Sequence, residues 1–125
     1  MHLIEKIVKL EHEAADFGFA WEKASQVIEQ IQSECDEVKA HLQQDSLEHK
    51  AALKEEIGDL MHAVFSLCVF CELDATETLS QALEKFERRF NTVKSMAKAR
   101  GLTNLKNYAF DELMDFWSEA KNKVG

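Results

Sequence analysis

The fold is decided by the segment LKEEIGDLMHAVFSLCVFC, residues 53–71, in which apolar side chains recur at alternating steps of four and three. These side chains belong to Leu53, Ile57, Leu60, Val64, Leu67 and Cys71. Such spacing places them on one side of an α-helix and is typical of helices that pack antiparallel in a bundle. The segment therefore predicts one long helix with a single buried side.

The same periodicity extends outward from this segment and predicts five helices in a chain of 125 residues. Breaks fall near Gly18, around Asp45 and Ser46, at residues 73–75 and at 101–107. The predicted helices cover about 2–16, 20–44, 47–72, a stretch that opens at Asp74 and ends near 100, and 110–123. Without proline and with four glycines, the chain is predicted to be all-α, a single domain over residues 1–125 that forms an antiparallel bundle. Helices this long expose more apolar side than one small chain covers, so we expect a homo-oligomer to complete the bundle.

The composition limits the classes of function. The formal net charge of -8 argues against a nucleic-acid polymer as partner, because such binders need a basic surface. No stretch reaches the roughly 18 apolar residues that a membrane span requires, so we expect a cytoplasmic protein without membrane contact. Three cysteines, an odd number, do not indicate a disulfide framework.

An acidic residue interrupts the apolar side of the second predicted helix. At about 100° per residue, Glu34 falls near the middle of that side, between Ile31 and Val38. An unpaired buried carboxylate destabilises a fold strongly, so this position needs a cation, an arginine or water beside it. Glu37 lies one turn further on, and the carboxylates of this Glu-x-x-Glu pair can converge on one point.

The third helix repeats the arrangement with Glu56 and Asp59. If the second and third helices pack antiparallel, as the short connection between them favours, the four carboxylates face one another and need a counterion. Hard oxygen ligands without paired histidines indicate magnesium, with manganese as a substitute, and leave room for water and substrate phosphates. Gly58 lies between these acids, where glycine costs about 1 kcal/mol relative to alanine, and it indicates close approach of a helix or a ligand.

Two cations of the fourth helix are candidates for phosphate binding. Lys85 and Arg89 are four residues apart and flank the predicted buried face of that helix, whereas Arg88 is predicted to point to solvent. That face consists of Leu79, Leu83, Phe86, Phe90 and Val93. Lys85 and Arg89 can offset the acids or bind phosphate oxygens, which arginine does with two parallel hydrogen bonds. The structural alternative is a buried ion pair between Arg89 and Glu34.

Taken together, these motifs resemble the MazG family of all-α nucleotide pyrophosphohydrolases. The family signature is Glu-x-x-Glu followed after a gap by Glu-x-x-Asp, and here 18 residues separate Glu37 from Glu56. The accompanying segments are more specific, namely Phe17-Gly-Phe-Ala-Trp21, Glu56-Ile-Gly-Asp-Leu60, Lys85-Phe-Glu-Arg-Arg-Phe90, and Trp117 with Lys121. The resemblance extends over nearly the whole chain. One departure is Ser33, which stands where the family often has a second glutamate beside Glu34.

This resemblance implies a homodimeric or homotetrameric enzyme that uses magnesium to hydrolyse nucleoside triphosphates to the monophosphate and pyrophosphate. The implied catalytic residues are Glu34, Glu37, Glu56 and Asp59 as magnesium ligands, and Lys85 and Arg89 as triphosphate contacts. Trp117 and Lys121 match further positions that act in nucleotide binding. From the residues alone, Trp117 is equally suited to the core and Lys121 to a solvated helix end, while Trp21 is suited to packing or to lining a base pocket.

Two other classes of protein use similar residues. In a non-catalytic helical interaction module, the acids and bases would form an ion-pair network at a dimer interface, and magnesium would not stabilise the fold. A di-iron carboxylate bundle normally requires two Glu-x-x-His motifs. Only Asp59-x-x-His62 approximates one, and His62 is predicted to point away from the acids.

Overall fold

The computed structural model describes residues 2–43 and 47–125, with side chains described over 2–43 and 50–125. Within these residues it is all-helical: α1 Leu3–Phe17, α2 Ala24–Leu42, α3 Leu47–Phe70, α4 Ala75–Ala99 and α5 Phe110–Val124. The predicted all-α class and the five helices are confirmed. The predicted break around Asp45 and Ser46 lies outside the described residues. Among the helices described, none combines the length and the apolar character that crossing a membrane requires.

Helix α1 ends as predicted, but α2 begins later than the periodicity indicates. Gly18 has a φ of 99°, in the left-handed region that glycine adopts without strain, and this stops α1. The side chain of Gln26 then accepts hydrogen bonds from the backbone N–H groups of Glu22 at 2.8 Å and Lys23 at 3.1 Å. Because these bonds satisfy the free N–H groups outside the helix, α2 starts at Ala24.

The first compact unit spans Met1–Thr76 and is built around α3, which packs against both α1 and α2. Only a short connection separates α2 from α3, so the two helices return antiparallel, as predicted. The buried line of α3 runs through the small residues Ala63 and Ser66, whereas Ile57 and Val64 of the predicted stripe are 39% and 49% exposed. Leu53, Leu60 and Leu67 of the same stripe are half-buried, so the stripe is only partly covered within the described residues.

The second compact unit spans Glu77–Gly125. Its core consists of Val93, Met96, Phe116 and Ala120, with Leu102, Leu105, Tyr108 and Trp117 packed against it. Tyr108 meets Phe116 edge to face, with ring centres 5.7 Å apart. The core therefore joins the C-terminal half of α4 to α5 through the loop between them.

The predicted buried face of α4 is wrong over most of its length. Val93 is buried, but Leu79, Leu83, Phe86 and Phe90 are 38%, 59%, 54% and 44% exposed. Helix α5 has 15 residues against 25 in α4, and the core it forms begins at Val93. The periodicity correctly marks an apolar face, but α5 covers it only in part: Val93 lies in the core, whereas Phe86 contacts Trp117 and still stays exposed.

Candidate metal centre and phosphate-binding residues

Helix α2 carries a glutamate whose carboxylate is buried and only half satisfied. Glu34 is 8% exposed, as its place in the middle of the apolar stripe predicts. Its Oε1 accepts a hydrogen bond from Gln30 Nε2 at 2.8 Å, one turn earlier on the same helix. Its Oε2 is buried and has no hydrogen-bond partner among the described residues. Such an oxygen is costly unless a cation, a hydrogen-bond donor or water comes to it.

Two further acids reach the same point from α3. Glu34, Glu56 and Asp59 each offer a carboxylate oxygen, and these oxygens all lie within 4.8 Å of one another. The three residues differ in burial, since Glu34 is buried, Glu56 is half-buried and Asp59 is exposed. The cluster is therefore closed at the Glu34 side and accessible at the Asp59 side, so a ligand has a way in from solvent.

Glu37, the fourth predicted acid, belongs to the cluster through Glu56. The pKa of Glu56 is raised from an ordinary 4.5 to about 7, first by a hydrogen bond with the side chain of Glu37, and then by burial. A hydrogen bond with Glu34 and the negative charges of Glu37 and Glu34 raise it further. Two carboxylates form a hydrogen bond only when one of them is protonated, so the raised pKa of Glu56 reflects the crowding of these acids.

The donor set fits a hard divalent cation such as magnesium. It consists of carboxylate oxygens from two facing helices, and Glu34 Oε2 is buried with no hydrogen-bond partner in the described part of the chain. Magnesium prefers oxygen ligands and commonly uses a few carboxylates while keeping sites for water and phosphate. The part of the first unit that the structure describes brings only one basic side chain within 4.0 Å of these acids, His41, whose Nε2 lies 4.0 Å from Glu56 Oε1. No lysine or arginine ion pair with these acids is thus observed in that part.

Sequence reasoning missed two polar neighbours of the acids. Gln30 lies four residues before Glu34, and His41 lies four residues after Glu37, on the same side of α2. The signal for both was the i, i+4 spacing, which makes side chains neighbours on a helix. It was hidden because glutamine and histidine are also ordinary surface residues.

Gly58 lies between Glu56 and Asp59 with open space beside it. A Cβ atom added there would have no described atom within 4 Å. The predicted close approach of a neighbouring helix is therefore not observed within the described chain. The space next to the acids is open to a ligand or to another molecule.

The predicted phosphate-binding residues all belong to the second unit. The guanidinium carbon of Arg89 lies 5.9 Å from the centre of the Trp117 ring, and Arg89 Nε donates a 2.9 Å hydrogen bond to the carbonyl oxygen of Gly125. Lys85, one turn before Arg89 on α4, and Lys121, one turn after Trp117 on α5, are exposed. The two helices thus bring Arg89 and Trp117 into contact and leave both lysines at the surface.

Three lesser predictions have mixed outcomes. Arg88 does not simply point to solvent, since its Nε donates a 3.2 Å hydrogen bond to the carbonyl of Val124 at the end of α5. His62 points away from the acid cluster, as predicted, and its Nε2 lies 2.7 Å from Glu11 Oε1 of α1. Trp21 is 38% exposed, so it is only partly packed.

Comparison with known proteins connects this arrangement to one family. The profile of the MazG nucleotide pyrophosphohydrolase domain matches residues 22–94, more than half of the chain. A nucleoside triphosphate pyrophosphohydrolase of Escherichia coli is 32% identical over 115 residues, which are 92% of this chain and 43% of that protein. A protein of Thermotoga maritima, named nucleoside triphosphate pyrophosphohydrolase/pyrophosphatase MazG, is 29% identical over 113 residues, which are 90% of this chain and 42% of that protein.

The chain spans less than half the length of these two relatives. The matched region 22–94 contains the four signature acids and both Lys85 and Arg89. On the strength of this match, and of the paired acids that α2 and α3 bring together, the chain belongs to the MazG nucleotide pyrophosphohydrolase domain family.

Proposed function

We propose that the chain hydrolyses nucleoside triphosphates, of the ribo or deoxyribo series, between the α and β phosphates and releases the monophosphate and pyrophosphate. The observation that supports this most strongly is the convergence of Glu34, Glu56 and Asp59, with a buried oxygen of Glu34 that lacks a partner among the described residues. The relatives named above carry this activity in their names.

Magnesium is the proposed cofactor, with manganese as a substitute, and Glu34, Glu37, Glu56 and Asp59 are its proposed ligands. When bound, it would lower the pKa of a coordinated water and neutralise charge on the phosphates. The convergence of three of these carboxylates, those of Glu34, Glu56 and Asp59, from two helices supports this assignment. The graded burial supports the proposal, because a site closed at Glu34 and accessible at Asp59 leaves one side for substrate.

Lys85 and Arg89 are the proposed contacts to the triphosphate. Water attacks the α phosphorus, the bond to the bridging oxygen breaks, and pyrophosphate leaves with the electron pair of that bond. Cationic side chains favour this step because they stabilise negative charge that grows on the leaving group. We assign Trp117 and Lys121 of α5 to nucleotide binding as well, and the contact of Trp117 with Arg89 supports this grouping.

We also propose that the working protein is a homodimer or homotetramer. Leu79, Leu83, Phe86 and Phe90 form an exposed apolar face on α4, which a second copy of the chain would cover. Light scattering tests this directly. We expect a mass of at least two chains, and a monodisperse monomer would contradict the proposal. Replacing Leu83 by serine should weaken the assembly, whereas the same change at the buried position Val93 would test only the stability of the second unit.

The catalytic proposal is tested by conservative variants of two acids from different helices. Glu37→Gln and Asp59→Asn each remove one charge and keep the side-chain size, so each should lower magnesium-dependent turnover by about two orders of magnitude or more. Glu55→Gln is the matched control, because Glu55 is an exposed acid on the same helix as Asp59 that the cluster does not include. Full activity of both variants in folded samples would refute the proposal.

A further inference from the structure

Helix α5 holds the side chain of Arg89 at two points. The centre of the Trp117 ring lies 5.9 Å from the guanidinium carbon, within the range at which an aromatic ring attracts a cation. The carbonyl oxygen of Gly125 accepts the Arg89 Nε–H at 2.9 Å. One contact fixes the plane of the guanidinium and the other fixes its edge, so the side chain has little freedom to rotate.

These two contacts occupy only part of the guanidinium. Arg89 donates no further hydrogen bond to a described residue, which leaves its two Nη groups available. The pair of Nη groups is an edge with which arginine binds phosphate oxygens in two parallel hydrogen bonds. The contacts with α5 therefore leave the phosphate-binding edge of the Arg89 guanidinium unoccupied.

Trp117 is itself held in place and does not lie free at the surface. Its ring centre is 5.6 Å from that of Phe86, and the indole packs against the core of the second unit. These neighbours already fix Trp117, so little further conformational entropy is lost in ordering it when substrate binds. Trp117 can therefore orient Arg89.

We propose that Trp117 is a positioning residue, which acts through Arg89 by holding the guanidinium with its Nη groups ready for the pyrophosphate part of the substrate. This inference rests on the proposed function, because it takes Arg89 as a phosphate contact. It differs from a direct role of Trp117 in stacking on the base. In that case the effect of removing Trp117 on binding would not depend on whether Arg89 is present.

A double-mutant cycle tests the inference with inorganic pyrophosphate and magnesium as the probe. Trp117→Leu should raise the Kd for pyrophosphate about threefold to tenfold when Arg89 is present. In the Arg89→Ala background the same change should alter Kd by less than about twofold, because the residue it acts through is gone. Trp117→Phe keeps an aromatic face and should retain most of the affinity. Equal losses in both backgrounds would overturn the inference.

A spectroscopic readout separates positioning from general damage to the fold. The NMR resonance of the Arg89 Nε–H, assigned by its absence in Arg89→Lys, should shift in Trp117→Leu because the ring current of the indole is lost. Arg100→Ala is the matched control, because Arg100 lies over the Phe116 ring at 4.6 Å and its loss should leave that resonance and the Kd unchanged. An unshifted resonance in Trp117→Leu would overturn the inference.

The failure of the proposed function would look different. In that case the wild-type chain would neither bind pyrophosphate nor hydrolyse any nucleoside triphosphate, and the positioning role would fall with it. Normal turnover by the wild type, together with additive losses in the cycle, would overturn the positioning role alone.

Discussion

Gln30 and Glu34 are joined by a 2.8 Å hydrogen bond one turn apart on α2. The bond occupies Oε1 of the glutamate and leaves the buried Oε2 without a partner among the described residues. The hydrogen bond therefore restricts rotation of the Glu34 carboxylate, which clusters with those of Glu56 and Asp59. Residues that orient metal ligands in this way commonly change metal affinity when they are removed.

Gln30→Ala should weaken magnesium binding by about tenfold, because Glu34 loses the bond that fixes its carboxylate. Isothermal titration with magnesium measures the change. The matched control is Gln81→Ala, which breaks a hydrogen bond of the same i, i+4 geometry to Glu77 on α4, at 3.1 Å. Equal magnesium affinities for the two variants would contradict an orienting role for Gln30.

Glu34→Gln should stabilise the protein in chelator and make it insensitive to magnesium. The amide removes a buried charge and can donate to the neighbouring carboxylates, so we expect the free energy of unfolding without metal to rise by about 1 to 2 kcal/mol. Chemical denaturation with chelator and with magnesium measures both effects. Glu55→Gln, at an exposed position, should show neither. A variant that is less stable than the wild type in chelator would argue against an unsatisfied carboxylate at this position.

The metal-free protein should lose stability as the pH rises through about 7. Glu56 has a pKa of about 7 in the folded chain against an ordinary 4.5, so between these values the folded state binds more protons than the unfolded state. The stabilising contribution is complete below about pH 4.5 and is lost above about pH 7. Melting temperatures in chelator across this range, compared with Glu56→Gln, isolate the contribution. Identical pH profiles would contradict the raised pKa.

Gly58→Ala should raise the free energy of unfolding of the chain by about 0.5 to 1 kcal/mol, because alanine favours a helix interior and a Cβ there meets open space. Denaturation in chelator tests this. If substrate uses the open space beside Glu56 and Asp59, the same variant should raise KM. Destabilisation would instead mean that another molecule packs closely against Gly58.

The acid cluster could be predicted from sequence because it breaks a strong pattern. A glutamate at the centre of an apolar stripe destabilises the fold unless a cation, an arginine or water lies beside it, so Glu34 predicted such a partner. The spacing of Glu37, Glu56 and Asp59 predicted where that partner would lie. Glu34 is indeed buried and converges with Glu56 and Asp59, while the partner of the cluster stays a prediction. The raised pKa of Glu56 follows from the same crowding of negative charge.

Other features depend on contacts that periodicity does not contain. The start of α2 is set by the side chain of Gln26. The hydrogen bond of Arg88 is set by the carbonyl of Val124, which Arg88 reaches only once α5 has packed on α4. Likewise, the face around Phe86 and Phe90 is predicted to be buried because it is apolar, yet it is exposed in the second unit. Periodicity identifies an apolar face, but the packing of the neighbouring helix decides how much of that face is covered.

The proposed reaction is hydrolysis of the α–β phosphate bond of a nucleoside triphosphate, with the acid cluster as the magnesium site. The most direct measurement incubates the purified chain with a panel of ribo- and deoxyribonucleoside triphosphates, with magnesium or with chelator, and identifies the products by chromatography. We predict monophosphate and pyrophosphate in equal amounts, only with magnesium. Diphosphate and phosphate as products, or no turnover of any member of the panel by a folded sample, would contradict the claim.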